Sequence, residues 1–300
     1  MVSGNGSDKA MAASKSVRKK SELRNKVICG DASRILQTFP DHCVDCVVTS
    51  PPYFQQRDYG SKKQIGAEKS IDEYVGNLRD VFQQVGRVLK PTGTVWLNLG
   101  DKFAKGCQLG MPWRVALDLM DHGWILRNEI IWHKPNAMPS PIKNRLTIDH
   151  ESVFFLVRQS DYFYDSDSIR EPHVTFTEHS KMKGGRKHFG SRGGTPEQGK
   201  NQGNSNLHDG RWDQAFHPKG RNKRTVWSIP LSKNREAHFA VFPAPLVETC
   251  IKAGCPSNGL VLDPFCGSGT TLKVAKDLKR NYVGIDLESE YCGISRKKLK

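Results

Sequence analysis

Two short stretches of this 300-residue chain combine residue types able to handle a polar group and a nucleoside. The first is Thr49-Ser50-Pro51-Pro52-Tyr53. Consecutive prolines fix the backbone and carry no N–H, so the turn offers carbonyl acceptors that neither helix nor ladder consumes. The Ser50 oxygen and the Pro51 carbonyl can together accept both hydrogens of an exocyclic amine, which leaves electron density on the nitrogen and aims its lone pair outward. Tyr53 adds a flat face on which a base can stack. A Pro-Pro pair alone would be no more than a rigid turn.

The second stretch is Val261-Leu262-Asp263-Pro264-Phe265-Cys266-Gly267-Ser268-Gly269-Thr270. An apolar run enters a Gly-x-Gly turn, and glycine lets backbone approach a ligand closely. Seventeen residues after Gly269, the run Tyr282 to Ile285 ends at Asp286, placed to accept hydrogen bonds from ribose hydroxyls. The combination favours a nucleoside ligand over an ordinary strand-to-helix turn. The missing third glycine argues against a dinucleotide fingerprint, and the lack of Gly-Lys-Ser/Thr argues against a P-loop.

Both stretches need strands to deliver them. The runs Lys26–Cys29, Val44–Thr49, Thr94–Leu99, Ile125–His133, Ser152–Arg158, Gly259–Asp263 and Tyr282–Asp286 read as strands. Between them, Ser70 and Glu73 open an amphipathic helix on which Ile71, Tyr74, Val75, Leu78, Phe82, Val85 and Leu89 recur at helical spacing. Lys90-Pro91-Thr92-Gly93 stops it, and further helices fit Pro112–Asp121, Thr270–Leu278 and the C-terminus. Strands alternating with helices predict a mostly parallel sheet covered on both faces, with ligands at the strands' carboxyl ends.

Charge narrows the partners. The formal net charge is +15, of which residues 1–26 carry +5 (seven Lys/Arg, two acids) and residues 171–225 carry +6 (eleven Lys/Arg, five acids). Two basic segments flanking a balanced body predict a face turned to phosphates. Residues 1–25 read as a disordered basic tail, and 165–225 as an insertion in a 26–300 domain. Residues 184–220 of that insertion hold nine of the 27 glycines. No apolar run is long enough to span a bilayer, so an intracellular, membrane-free protein is expected. The eight cysteines read as reduced thiols. Cys43 and Cys46 lack the second ligand pair of a structural zinc site, so no metal is expected.

The order of the motifs carries a family resemblance. Ser50-Pro51-Pro52-Tyr53 comes more than two hundred residues before Phe265-Cys266-Gly267-Ser268-Gly269. In this the chain resembles the β-class DNA amino-methyltransferases, whose S/D/N-PP-Y/F catalytic motif precedes an F-x-G-x-G cofactor motif. Protein-glutamine methyltransferases with Asn-Pro-Pro-Tyr have the reverse order. The resemblance covers about 26–300. Gly30-Asp31, Leu89–Asp101, Trp132-His133-Lys134-Pro135-Asn136 and Glu236–Pro243 match further family segments.

The resemblance implies an α/β fold with a seven-stranded, mostly parallel methyltransferase sheet, circularly permuted so that the cofactor half comes last. It implies S-adenosyl-L-methionine as methyl donor, held by Asp31, Asp263, Phe265, Gly267, Gly269, Thr270 and Asp286. It implies double-stranded DNA as partner, with the target base flipped onto Ser50, Pro51, Pro52 and Tyr53. The 165–225 insertion resembles, by position, the target-recognition region, and Arg221, Lys223 and Arg224 are its candidate phosphate contacts. The Ser-Pro-Pro-Tyr form resembles N4-cytosine enzymes. C5-cytosine chemistry needs a Pro-Cys pair, and the sequence offers only Cys255-Pro256, the reverse. Rival readings are an N6-adenine enzyme of the same family, an RNA methyltransferase, and a DNA-binding module without catalysis. The implied location is with DNA: the nucleus in a eukaryote, the cytoplasm in a bacterium.

Overall fold

The computed structural model describes residues 17–56, 64–173, 217–231 and 243–300. In chain order its elements are α1 (Lys20–Leu23), β1 (Lys26–Cys29), α2 (Ala32–Leu36), β2 (Val44–Thr49), α3 (Ile71–Val88), β3 (Leu89–Leu99), β4 (Phe103–Ala104), β5 (Cys107–Gln108), α4 (Met111–Asp121), β6 (Ile125–His133), β7 (His150–Val157), β8 (Val226–Ser228), α5 (Ala244–Gly254), β9 (Leu260–Asp263), α6 (Thr270–Asp277), β10 (Asn281–Asp286) and α7 (Ser289–Lys298). A 3-10 turn spans Asp167–Ile169.

Every strand but β4 and β5 joins one sheet in the order β1-β10-β9-β2-β3-β7-β6-β8. β7 alone runs against its neighbours, pairing antiparallel with both β3 and β6. Among the described residues the sheet therefore has eight strands rather than the seven expected. The addition is the three-residue β8, which pairs parallel to β6 at the edge, a segment too short to show a period in sequence.

Alternation along β3 builds the two helical layers. Val95, Leu97 and Leu99 join a core with Tyr74, Leu78, Phe82 and Val85 of α3. Thr94 and Trp96 point the other way. There the Thr94 hydroxyl donates to the Gly254 carbonyl of α5 (2.9 Å). A Cβ on Gly254 would fall 2.3 Å from Thr94 Oγ1, so only glycine lets α5 lie this close. α3 begins as expected, with Ser70 Oγ accepting from the Glu73 N–H (3.2 Å).

One difference from the sequence reading concerns the basic tail. Residues 1–16 of the expected tail lie outside the described residues. Residues 17–25 are ordered: Leu23 is fully buried, and the Arg18 N–H donates to the Thr38 carbonyl (2.8 Å). A charged composition hid one apolar anchor. The body formed by residues up to Phe163 and from Val226 onward is one compact unit, and Tyr164–Thr225 is a second. Residues 174–216, the greater part of the basic insertion, lie outside the described residues, as do 232–242, which hold nearly all of the Glu236–Pro243 segment. No described helix is long and apolar enough to cross a membrane.

Candidate active site

The parallel strands end at one edge, and β9 lies between β10 and β2. Cys46 and Val47 face Val261 and Leu262 across the ladder, which brings the two motif turns side by side. They are then tied. Thr49 Oγ1 donates to Asp263 Oδ1 (2.7 Å) across a separation of 214 residues. Thr271 Oγ1 donates to Asp263 Oδ2 (2.6 Å), and the Phe265 N–H donates to Oδ1 (3.1 Å). Asp263 is 1% exposed, and burial pushes its carboxyl up to about 6 despite these donors. The structure thus places Asp263 beneath the glycine turn, as the pin between both motifs.

The rest of the expected cofactor set lines the turn. Gly267 and Gly269 both sit in the left-handed region (φ 47° and 78°). At Gly269 a Cβ would meet Ser295 Oγ at 2.6 Å, whereas at Gly267 nothing lies within 4 Å. The first glycine is therefore open above the turn, and the second is packed against α7. Asp286 Oδ2 accepts from the Gly267 N–H (2.8 Å) and Oδ1 from the Glu288 N–H (3.0 Å). Burial raises its carboxyl above the usual range. Asp31 caps α2 through the Arg34 N–H (2.9 Å), one strand away, where Cys29 pairs with Asp286. Phe265 is half-buried against the core, and Thr270 Oγ1 accepts from Lys298 Nζ (3.2 Å). These residues form a cradle of glycine backbone and two strand-end carboxylates, which suits a nucleoside ligand.

The proline turn carries a denser polar network. Tyr74 OH donates to the Pro52 carbonyl (2.9 Å), so that carbonyl is consumed, contrary to the expectation that both face outward. No hydrogen bond among the described residues occupies the Pro51 carbonyl. Tyr53 OH donates to Glu151 Oε2 (2.7 Å), and Asn98 Nδ2 donates to the same oxygen (2.8 Å) and to Tyr53 OH (2.8 Å). The Lys134 ammonium pairs with Glu151 Oε1 and lies 4.7 Å from the Trp132 ring centroid.

Hydrogen-bond directions follow from this. A carboxylate cannot donate, so the Tyr53 proton points at Glu151, and its oxygen must accept. Ser50 Oγ lies 3.1 Å from that oxygen and therefore commits its own proton there; Asn98 Nδ2 donates weakly to it at 3.3 Å, which leaves one lone pair for an incoming donor. Burial, followed by the Glu151 charge, holds the Tyr53 phenol well above its ordinary pKa, so it remains a donor. Gly100 is required beside it, since a Cβ would come within 2.6 Å of Tyr53 Cε2. Asn98 is 2% exposed and its Oδ1 has no hydrogen-bond partner.

Sequence reasoning missed Asn98 and Glu151, and quoted Lys134 without a role. Two signals were present: a lone Asn inside the apolar run Thr94–Leu99, and an acid heading the run Ser152–Val157. His133 has its Nδ1 3.1 Å from Ser228 Oγ and lies near Asp149, away from this network. In the second unit, Arg221 Nη2 and Lys223 Nζ each lie 3.3 Å from a Glu171 carboxylate oxygen, and both are partly buried. Arg224 is exposed. The three expected phosphate contacts are thus not equivalent. Among the described residues no cluster of three or more His, Cys, Asp or Glu could hold a metal.

Comparison with known proteins gives a consistent picture. The N6/N4 methyltransferase family, described as DNA methylase, matches residues 44–297. Type II methyltransferase M.SmaI of Serratia marcescens is 36% identical, over 93% of this chain and 92% of its own. Type II methyltransferase M.Cfr9I of Citrobacter freundii is 34% identical, over 90% and 86%. Among solved structures, PvuII DNA methyltransferase (cytosine-N4-specific) shares the fold with a TM-score of 0.67 at 22% identity, covering 94% of this chain and 87% of that one. The M1.HpyAVI–SAM complex does so with a TM-score of 0.56 at 20% identity, covering 92% and 98%.

Proposed function

Because the chain belongs to the N6/N4 DNA methylase family, we propose that it methylates N4 of cytosine in double-stranded DNA, with S-adenosylmethionine as donor. The observation that carries this reading is the Ser50 hydroxyl, turned into an acceptor by Tyr53 and Glu151 and tied to the glycine turn through Thr49 and Asp263. The Ser-Pro-Pro-Tyr form supports cytosine, as does the name of the PvuII enzyme.

The cradle fits the donor: the open space at Gly267 admits a ligand against backbone, and Asp286 faces the turn as an acceptor for ribose hydroxyls. When bound, S-adenosylmethionine supplies an electrophilic methyl group on a sulfonium. The chain's part is to hold the flipped base. Ser50 Oγ and the Pro51 carbonyl accept the two amine hydrogens, which directs the nitrogen lone pair at the methyl carbon. The amine proton released on transfer would leave to water or along the Ser50 hydroxyl, whose own hydrogen bond runs to Tyr53. Asp31, Phe265 and Thr270 border the donor, and Asp263 shapes its loop from below. Tyr164–Thr225 is read as the target-recognition region, with Arg224 a phosphate contact and Arg221 and Lys223 held by Glu171. The bacterial sources of the relatives support a cytoplasmic location with DNA.

The test is mass spectrometry of nucleosides from duplex DNA incubated with the protein and labelled donor. N4-methylcytosine is expected, and Ser50→Ala should lower its formation about a hundredfold or more. N6-methyladenine would overturn the base assignment and keep the family.

A further inference from the structure

The segment between β6 and β7, residues 134–149, leaves the sheet at the edge that carries the proposed catalytic turn. Both of its ends belong to that site. Lys134 pairs with Glu151, which holds Tyr53, and the Lys134 N–H donates to the Asp149 carbonyl (2.7 Å) to close the base of the loop. Asn136 anchors the outgoing arm, its side chain bonding both N–H and carbonyl of Leu231 (2.7 and 3.1 Å). On the return arm the Arg145 guanidinium lies 3.6 Å from the Phe103 ring centroid, against the β4–β5 hairpin. Pro135, Pro139 and Pro141 stiffen what lies between.

This braced loop carries large apolar side chains pointing into solvent. Met138 is 84% exposed, Leu146 89% and Ile142 42%. Among the exposed large apolar residues of the described chain, Met138 and Leu146 are the two most exposed. Between Lys134 and Asp149 the loop holds two cations, Lys143 and Arg145, and no acid. A solvent-facing tip gains nothing from a bare Met and Leu, and a protein partner of mixed charge would not select an acid-free loop. An anionic polymer with an apolar interior fits both features, and stacked DNA is such a polymer. Met138 lies four residues from Lys134, within about 14 Å of extended chain, and so within reach of a base flipped onto the proline turn.

We propose that residues 134–149 are the wedge that holds duplex DNA open: Met138 and Leu146 enter the stack where the target base has left, while Lys143 contacts the flanking phosphates. This rests on the methyltransferase reading above and adds to it the surface that stabilises the flipped state. The benefit of a wedge is largest where the base pair is hardest to open, which makes it separable from contacts that merely bind DNA.

The experiment uses the full-length protein and the site it methylates, mapped first on plasmid DNA treated with the wild type. Methyl-transfer rates are then compared on a duplex with the target base paired and on the same duplex with it mismatched. Met138→Ala/Leu146→Ala should slow transfer about tenfold or more on the paired duplex, with the loss shrinking to about twofold on the mismatched one. Its melting temperature and its donor affinity should match the wild type. Wild-type rates on paired DNA would overturn the wedge, as would equal slowing on both duplexes or a lowered melting temperature, which would mean that the residues cover another part of the chain. A wild-type protein that methylates no DNA at all would remove the functional reading, and this inference with it.

Discussion

Replacing Glu151 with Gln should reverse the hydrogen-bond polarity of the catalytic turn. The carboxylate now accepts from Tyr53, Asn98 and Lys134 together. A glutamine has only one acceptor oxygen, and the Lys134 ammonium, a charged donor only 16% exposed, will claim it. The amide NH2 then faces Tyr53, whose own proton must turn to Ser50 and occupy the lone pair needed for the base. Leaving a mostly buried ion pair half made costs about 3 kcal/mol of stability, and losing one acceptor in the transition state costs about a hundredfold in rate. Denaturant titration and single-turnover methyl transfer with labelled donor would measure the two. Donor affinity should stay constant, because the cradle is built on other strands. The second substitution, Lys134→Met, frees the Gln oxygen to turn back to Tyr53. Glu151→Gln/Lys134→Met should therefore regain most of the lost stability and bring the rate to within about tenfold of wild type. A double variant as slow as the single one would refute the polarity mechanism, and a single variant at full rate would refute any role for Glu151 in transfer.

Asp286→Ala should weaken donor binding by about 1.5–3 kcal/mol, the scale of a lost charge-assisted hydrogen bond, as read by calorimetry; unchanged affinity would remove Asp286 from the cradle. Asp263 gives a pH prediction with a definite sign. Its folded pKa of about 6 lies above the ordinary 3.8, so the stability it confers when protonated is complete below about 4 and is lost as pH rises through 6. The loss is about 3 kcal/mol, and Asp263→Asn should flatten the stability profile across that window; an unaltered slope would mean that the carboxyl titrates normally. Gly100→Ala should displace the Tyr53 ring, which leaves no room for a Cβ, and lower the transfer rate by about tenfold or more with little change in donor affinity; a normal rate would mean that the ring can shift without harm.

Strand ends were legible because sequence marks them locally. β2 stops at two prolines, β9 at a glycine turn and β10 at an acid, and each boundary falls within a residue of its expectation. Asn98 and Glu151 were not legible as partners, because their meeting depends on the antiparallel register of β3 with β7. Leu99 faces Ser152, so Glu151 lies one residue past the ladder's end, and a slip of one residue would turn it to the other face of the sheet. Pairing register between strands separated by a helix, a hairpin and a loop leaves no local trace. The same limit explains Arg221 and Lys223: their charges were visible in the sequence, whereas the Glu171 carboxylate beside them, about fifty residues earlier, was not.

Chain order and spatial order part company at one junction, and the chemistry depends only on the latter. The sheet places β9 against β2 although their motifs are separated by more than two hundred residues. What joins the two halves is not a loop but the buried carboxylate of Asp263, gripping Thr49 of one motif and Thr271 and Phe265 of the other. Because that junction uses side chains at strand ends, the connection between the halves can run through a long insertion without disturbing it. Loop-closure entropy grows only slowly with length, roughly 0.6 kcal/mol for each doubling, so an insertion the size of Tyr164–Thr225 adds little cost. A fold assembled in this way keeps the two motif turns in register through a few buried hydrogen bonds, whatever the length of the chain between them.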